Sequence, residues 1–141
     1  MNFSNLLKDY KPYKDVEKSL KNNNSPICIS GVSESAQSQL IYQLTQTEDN
    51  SAVVICYSDL EAMSLYRDIS YFTKNAVFFP SKEYVFYDIE AKDRENEQLR
   101  LNAIYRAGEE KTIIVTSIDA CAKYTISKSD YDASKISFEV G

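Results

Sequence analysis

Gly31, Ala36, Gln37 and Ser38 are the residues whose types and spacing point most directly to chemistry. They lie in the run P-I-C-I-S-G-V-S-E-S-A-Q-S-Q-L-I-Y-Q-L from Pro26 to Leu44, which reads as a short buried strand, a glycine-led turn and a helix. Such a corner can cradle a phosphate when the turn follows G-x-x-x-x-G-K-[ST]. Backbone N–H groups then point inward, the lysine reaches the terminal phosphates and the hydroxyl holds magnesium. Here Gly31 is followed by four residues and then by Ala36, Gln37 and Ser38. The frame is kept, and two of the chemically necessary residues are missing.

Each loss has a physical consequence. The second glycine lets the backbone curl around the phosphate, often through torsions barred to other residues. Ala36 carries a Cβ, and a positive φ there would cost about 1–2 kcal/mol. Gln37 can donate a hydrogen bond but carries no charge. A bond to a charged group contributes about 1.5–3 kcal/mol, against about 1 for a neutral one. Glu34 sits inside the loop and would repel a polyphosphate. Only Ser38, the magnesium position, is intact. The expectation is a vestigial P-loop at Gly31, Ala36, Gln37 and Ser38, with no catalytic residue, no bound cofactor and no metal. A plain strand–turn–helix with a chance Gly and Ser stays open as the alternative.

Other residue types narrow the chemistry further. The chain has no histidine, which removes every Ser-His, Cys-His and metal–His scheme. Cys28, Cys56 and Cys121 are odd in number, far apart and set in apolar stretches, so neither a zinc site nor a disulfide framework is expected. Asp59 follows a strand end, where a phosphorylated aspartate could sit. No second acidic pair accompanies it, and its place beside a helix N-cap explains it without phosphoryl chemistry. Asp119, the nearest candidate for a magnesium-holding acid, falls inside a helical stretch. Tyr84, Phe86 and Tyr87 could stack on a base or anchor a partner. A strand-to-helix turn more simply uses them to close the end of the core.

Composition bounds the class. The 141 residues suit one domain, or one domain and the start of another. A hydrophobic fraction of 43% supports a real core, and 26% charged residues is ordinary for a soluble protein. Net charge is −5, with no Lys/Arg stripe on one face, which argues against nucleic acid being held electrostatically by this segment. No apolar run approaches the ~18–20 residues of a membrane helix. The N-terminus M-N-F-S-N-L-L-K-D-Y does not read as a signal peptide, so a cytoplasmic location without membrane partners is expected.

The elements that must position the corner follow in order. Asn2–Tyr10 is expected to form a short helix ended by Pro12, with a second helical stripe from Tyr13 to Lys21. Ile27–Ser30 is the expected first strand, and the helix after Gly31 should bury Ala36, Leu40, Ile41 and Leu44. Ala52–Tyr57 is the clearest strand. Ser58 and Glu61 form a capping box for a helix presenting Leu60, Met63, Tyr66, Ile69 and Phe72. Ala76–Phe79 is a strand stopped by Pro80. A helix from Asp93 to Gly108 has Leu99, Ala103, Ile104 and Ala107 as its core residues. Thr112–Thr116 is another strand, and Ser117 caps a short helix. The run S-K-S-D-Y-D-A-S reads as a polar connector, and K-I-S-F-E-V-G as a strand cut off before it finds a partner.

This βαβ series predicts an α/β domain of three layers: a parallel sheet with right-handed crossovers and helices on its faces. The domain organisation is residues 1–24 as a helical lead-in, 25–126 as the first part of the α/β domain, and 127–141 as a connector and the first strand of a following module.

Four stretches carry a resemblance. They are L-Y-R-D-I-S-Y-F at Leu65–Phe72, F-F-P-S-K-E-Y-V-F-Y-D at Phe78–Asp88, E-N-E-Q-L-R-L-N-A-I-Y-R at Glu95–Arg106, and T-I-I-V-T-S-I-D-A at Thr112–Ala120. In this order and at these separations the chain resembles the N-terminal region of the bacterial transcription-repair coupling factors (the Mfd family). The match spans about Pro26 to Ala122, and the strand–G-x-x-x-x-A-x-S corner fits it too. That region is similar to the first domain of the excision-repair protein UvrB, with its Walker motif decayed.

The resemblance implies a truncated P-loop-NTPase-like, UvrB-like fold and a non-catalytic scaffold role. It implies a parent that is a DNA-translocating ATPase, removing stalled RNA polymerase and recruiting UvrA for nucleotide excision repair. ATP and magnesium would serve only the downstream motor. The partners implied are the rest of the parent chain, above all the UvrA-binding module inserted after this domain, and, for the parent, UvrA, RNA polymerase and double-stranded DNA. Two other readings stay open. One is a working nucleotide-binding or helicase-type domain with an atypical loop. The other is a free-standing small α/β binding protein.

Overall fold

The computed structural model describes residues 7, 9–48, 50–82, 90–134 and 136. Six helices and three strands alternate along them. In chain order they are α1 (Lys11–Lys21), α2 (Glu34–Glu48), β1 (Ala52–Cys56), α3 (Asp59–Ser70), β2 (Ala76–Phe79), α4 (Glu90–Arg106), β3 (Ile113–Ser117), α5 (Ile118–Ala122) and α6 (Lys128–Ala133).

The strands form a parallel sheet in the order β1-β3-β2. Ala52 faces Ile113 across one pair, and Ala76 faces the same Ile113 across the other. β3 is therefore central, and its Ile113 and Val115 are fully buried. Each strand is a short β-branched or aromatic run, as a sheet covered by helices requires.

Right-handed crossovers assign the helices to faces. The chain moves one way from β1 to β2 and back from β2 to β3, so α3 and α4 belong on opposite sides. Side-chain contacts agree. Tyr66 of α3 stacks on Phe78 with ring centroids 6.0 Å apart. Arg100 of α4 lies over the ring of the next residue, Phe79, 3.9 Å from its centroid. Adjacent strand residues point to opposite faces. On the α3 side the core consists of Cys56, Ala62, Ile69, Ala76, Phe78, Ile113 and Val115. α2 lies beside α3, with Tyr42 stacked on Phe72 at 5.6 Å and Ile41 against the core. On the other side α4 covers β2, while Val53 and Ile55 of β1 remain exposed.

Several expectations change. Pro12 does not end a helix; it sits in the first turn of α1, where its missing N–H costs nothing. The helix expected over Asn2–Tyr10 lies mostly outside the described residues. Ile27–Ser30 is not a strand of the sheet. It is bounded by Pro26 and by Gly31 at φ +77, and Cys28 and Ile29 are exposed. The sheet therefore has three strands among the described residues, not four. The polar run after residue 126 is not all connector. Ser127 caps α6, its Oγ accepting from Asp130 N at 3.2 Å. Leu60 and Ala107, expected in the core, are exposed. The final strand expected over residues 135–141 lies almost wholly outside the described residues. No helix among the described residues is long and apolar enough to cross a membrane.

Candidate functional site

The corner at Gly31 is wound differently from a phosphate loop. Helix α2 begins at Glu34, so only Val32 and Ser33 separate it from Gly31. Ala36 N and Gln37 N both donate to Ser33 O, at 2.9 and 3.1 Å. In a P-loop the residues at these places curl around the anion with their N–H groups free. Here they are spent on the first helical turn. Glu34 occupies that turn, placing a carboxylate where a helix N-terminus would otherwise attract an anion.

The four expected site residues do not converge. Gly31 and Ala36 line a cleft of about 390 Å³ whose far wall is Pro12, Tyr13 and Val16 of α1. Gln37 lines a different cleft, beside the end of β1. Ser38 is 3% exposed, so its hydroxyl is not offered to a ligand at the surface.

The polar centre of the domain lies elsewhere, at the carboxyl ends of the strands. Asp59 opens α3 immediately after β1. Its Oδ2 accepts from Ser81 N at 3.0 Å and from Ser81 Oγ at 2.6 Å, just past β2. Its Oδ1 accepts from Ser117 Oγ at the end of β3. One carboxylate thus ties all three strand ends together. Burial pushes the Asp59 carboxyl up. The bonds from Ser117 and Ser81, with the charge of Lys123 nearby, outweigh that and hold it below the usual carboxylate range.

Arg100 completes this centre from the other face. It is 4% exposed, and Nη1 donates to Pro80 O at 2.6 Å while Nη2 donates to Thr125 Oγ1 at 2.9 Å. Burial lowers its pKa, and the nearby Asp59 carboxylate acts in the opposite direction. Thr116 Oγ1 donates to Phe79 O at 2.9 Å, joining β3 to the same corner.

Local signals explain how α3 is aimed. Ser58 Oγ accepts from Glu61 N at 3.3 Å, and Glu61 Oε2 accepts from Tyr57 N at 3.0 Å. The expected capping box is present, with the carboxylate reaching back to the residue before the cap. This fixes Asp59 as the first helical residue, pointed across the strand ends.

Asp59 is more than an N-cap neighbour, and Arg100 is a buried cation not expected in the core. The signal for Arg100 was a cation among the apolar positions of α4. Asp59 had no local signal, because its partners lie 22 and 58 residues away. Asp119 is exposed in the first turn of α5. Two cysteines depart from expectation, since Cys28 and Cys121 are exposed and only Cys56 is buried. Tyr84, Phe86 and Tyr87 lie outside the described residues. Among the described residues no cluster of His, Cys, Asp and Glu could hold a metal ion.

Half-buried Asp59 and buried Arg100 are both engaged at the strand ends, which they tie together. No protein family, no curated protein and no solved structure matches the chain.

Proposed function

We propose that the chain is a non-catalytic scaffold, the N-terminal UvrB-like part of a transcription-repair coupling factor. In this reading it supports the UvrA-binding module of a DNA-translocating ATPase that removes stalled RNA polymerase. ATP and magnesium belong to the motor of that parent, not to this segment.

The observation that carries the non-catalytic reading is the start of α2 at Glu34, which winds Ala36 and Gln37 into the helix and leaves two residues of loop after Gly31. A polyphosphate would meet a carboxylate there instead of a ring of free N–H groups.

The family reading draws support from the residues that carry the resemblance. Phe79, Pro80 and Ser81 come from one of the stretches that carry the resemblance, Arg100 from a second, and Thr116 and Ser117 from a third. Arg100 bonds Pro80 and lies on Phe79, Thr116 bonds Phe79, and Ser81 and Ser117 both bond Asp59, which lies outside those stretches. Residues that carry the resemblance separately in sequence are thus neighbours at one corner.

The test is to mix the chain with a separately produced UvrA-binding module of a coupling factor and follow complex formation by calorimetry. The reading expects a saturable complex. A module that ignores the chain, in a preparation shown to be folded by circular dichroism, would contradict it.

A further inference from the structure

We infer that the groove between α4 and the run from Thr125 into α6 seats an extended segment of a partner protein. The segment it fits is about five residues long, apolar in the middle, with an acidic side chain at one end and a basic one at the other. The groove starts from a second apolar face on α4. That helix buries Arg100 and Ala103 on its sheet side. Leu101, Ile104 and Tyr105, with Gly108 one turn on, form the next face at helical spacing. Leu101 is 49% and Tyr105 55% exposed, so the core does not use this stripe.

Two clefts open along it. One of about 270 Å³ is bordered by Leu101 and Thr125, and one of about 590 Å³ by Tyr105 and Tyr131. Ile104 and Ile126 line both, so the clefts meet at that apolar pair. From Glu97 to Arg106 the helix rises about 14 Å, the span of about five extended residues. A helical segment of that length would need on the order of 1,100 Å³, more than the two clefts hold.

The two ends of the groove carry opposite charge. Lys82 and Arg100 line the first cleft with Glu97, which leaves a positive excess. Lys123 donates to Lys82 O and brings a further ammonium to that end. Glu109 and Asp132 line the second cleft, beside the C-terminal end of α4, whose carbonyls add partial negative charge. Glu109 is paired with Arg106 at 2.9 Å, and Asp132 adds the second carboxylate. An acid therefore belongs at the Lys82 end and a base at the Asp132 end, with apolar side chains between them over Ile104 and Ile126.

The test is an NMR titration of the whole chain with the blocked peptide acetyl-Asp-Leu-Val-Leu-Lys-amide. Saturable shifts are expected at Leu101, Ile104, Tyr105, Ile126 and Tyr131. Control peptides with Asp at both ends or Lys at both ends should bind at least about threefold more weakly at low salt, the scale of one partly exposed ion pair. Leu101→Glu should weaken binding at least about 10-fold, since it charges the apolar floor. Lys82→Glu and Asp132→Lys should each weaken it about threefold, and the double variant should recover it, because the peptide can then lie the other way round. A purely structural role for these two charges would give no such recovery. No saturable shift at millimolar peptide would overturn the inference, and so would equal binding of the controls or a double variant weaker than either single one. Shifts at the same residues that follow the concentration of the chain alone would give the groove to a second copy and overturn it too.

Discussion

Asp59 and Arg100 hold opposite ends of one peptide group. The Pro80 carbonyl accepts from Arg100 Nη1 at 2.6 Å, and the N–H of the same peptide, on Ser81, donates to Asp59 Oδ2 at 3.0 Å. A cation from α4 and an anion from α3 thus polarise a single peptide at the end of β2, between the two helical layers. Hydrogen bonds in which one partner is charged are the stronger kind, and a peptide polarised from both ends strengthens both.

Removing the anion should be costly. Asp59→Ala leaves Ser81 N and two hydroxyls without their acceptor, and a loss of about 2–3 kcal/mol is expected. Urea unfolding followed by circular dichroism reads it. A change within about 0.5 kcal/mol, the size of an ordinary surface substitution, would mean that the strand ends do not depend on this carboxylate.

Acid should act through the same group. The folded-state pKa of Asp59 is depressed, so its contribution is fully present above the unfolded value, about 3.9, and is lost as pH falls through the lower folded value. Asp59→Asn should therefore flatten the stability–pH curve below about pH 4 while shifting it down nearly uniformly at neutral pH. An unchanged acid limb in the variant would mean that Asp59 does not set the acid dependence of stability.

Arg100 is expected to be irreplaceable by lysine. The planar fork reaches Pro80 O and Thr125 Oγ1 while its face lies on Phe79, and an ammonium cannot do all three. Arg100→Lys should cost about 2 kcal/mol, and the double variant with Asp59→Ala should show a coupling of at least about 0.5 kcal/mol. Strict additivity would mean that the shared peptide transmits nothing.

The cysteines give a rapid check on the packing. Cys28 and Cys121 are exposed, whereas Cys56 is buried under α3, and burial, with the Glu61 charge second, pushes its thiol up. Ellman's reagent should titrate two thiols in the native chain and the third only in denaturant. Three fast thiols would place β1 outside the core.

What could be read from the sequence and what could not divide along physical lines. β1, β2 and β3 were legible to within a residue or so, because each is an apolar run bounded by polar or breaking residues. The start of α3 was legible from Ser58 and Glu61, whose bonds are local. α6 had the same kind of signal in Ser127 and Asp130, obscured by the polarity of the whole run. Pro12 was misread because proline both ends helices and starts them, and only the following turns decide. Ile27–Ser30 has a strand's composition, but pairing is a tertiary property that composition cannot supply. The absence of the second glycine and the lysine from the Gly31–Ser38 run was legible in its residues. That its backbone also departs from a phosphate loop, with α2 starting at Glu34, required the structure. The Asp59–Arg100 centre was hidden because both side chains act across long separations.

Whether the Gly31–Ser38 corner holds a nucleotide is read by titration calorimetry of the chain with ATP and magnesium. No saturable heat is expected at millimolar ATP. A saturable isotherm that disappears in Ser38→Ala, with the fold intact by circular dichroism, would contradict it and make the corner a working nucleotide site.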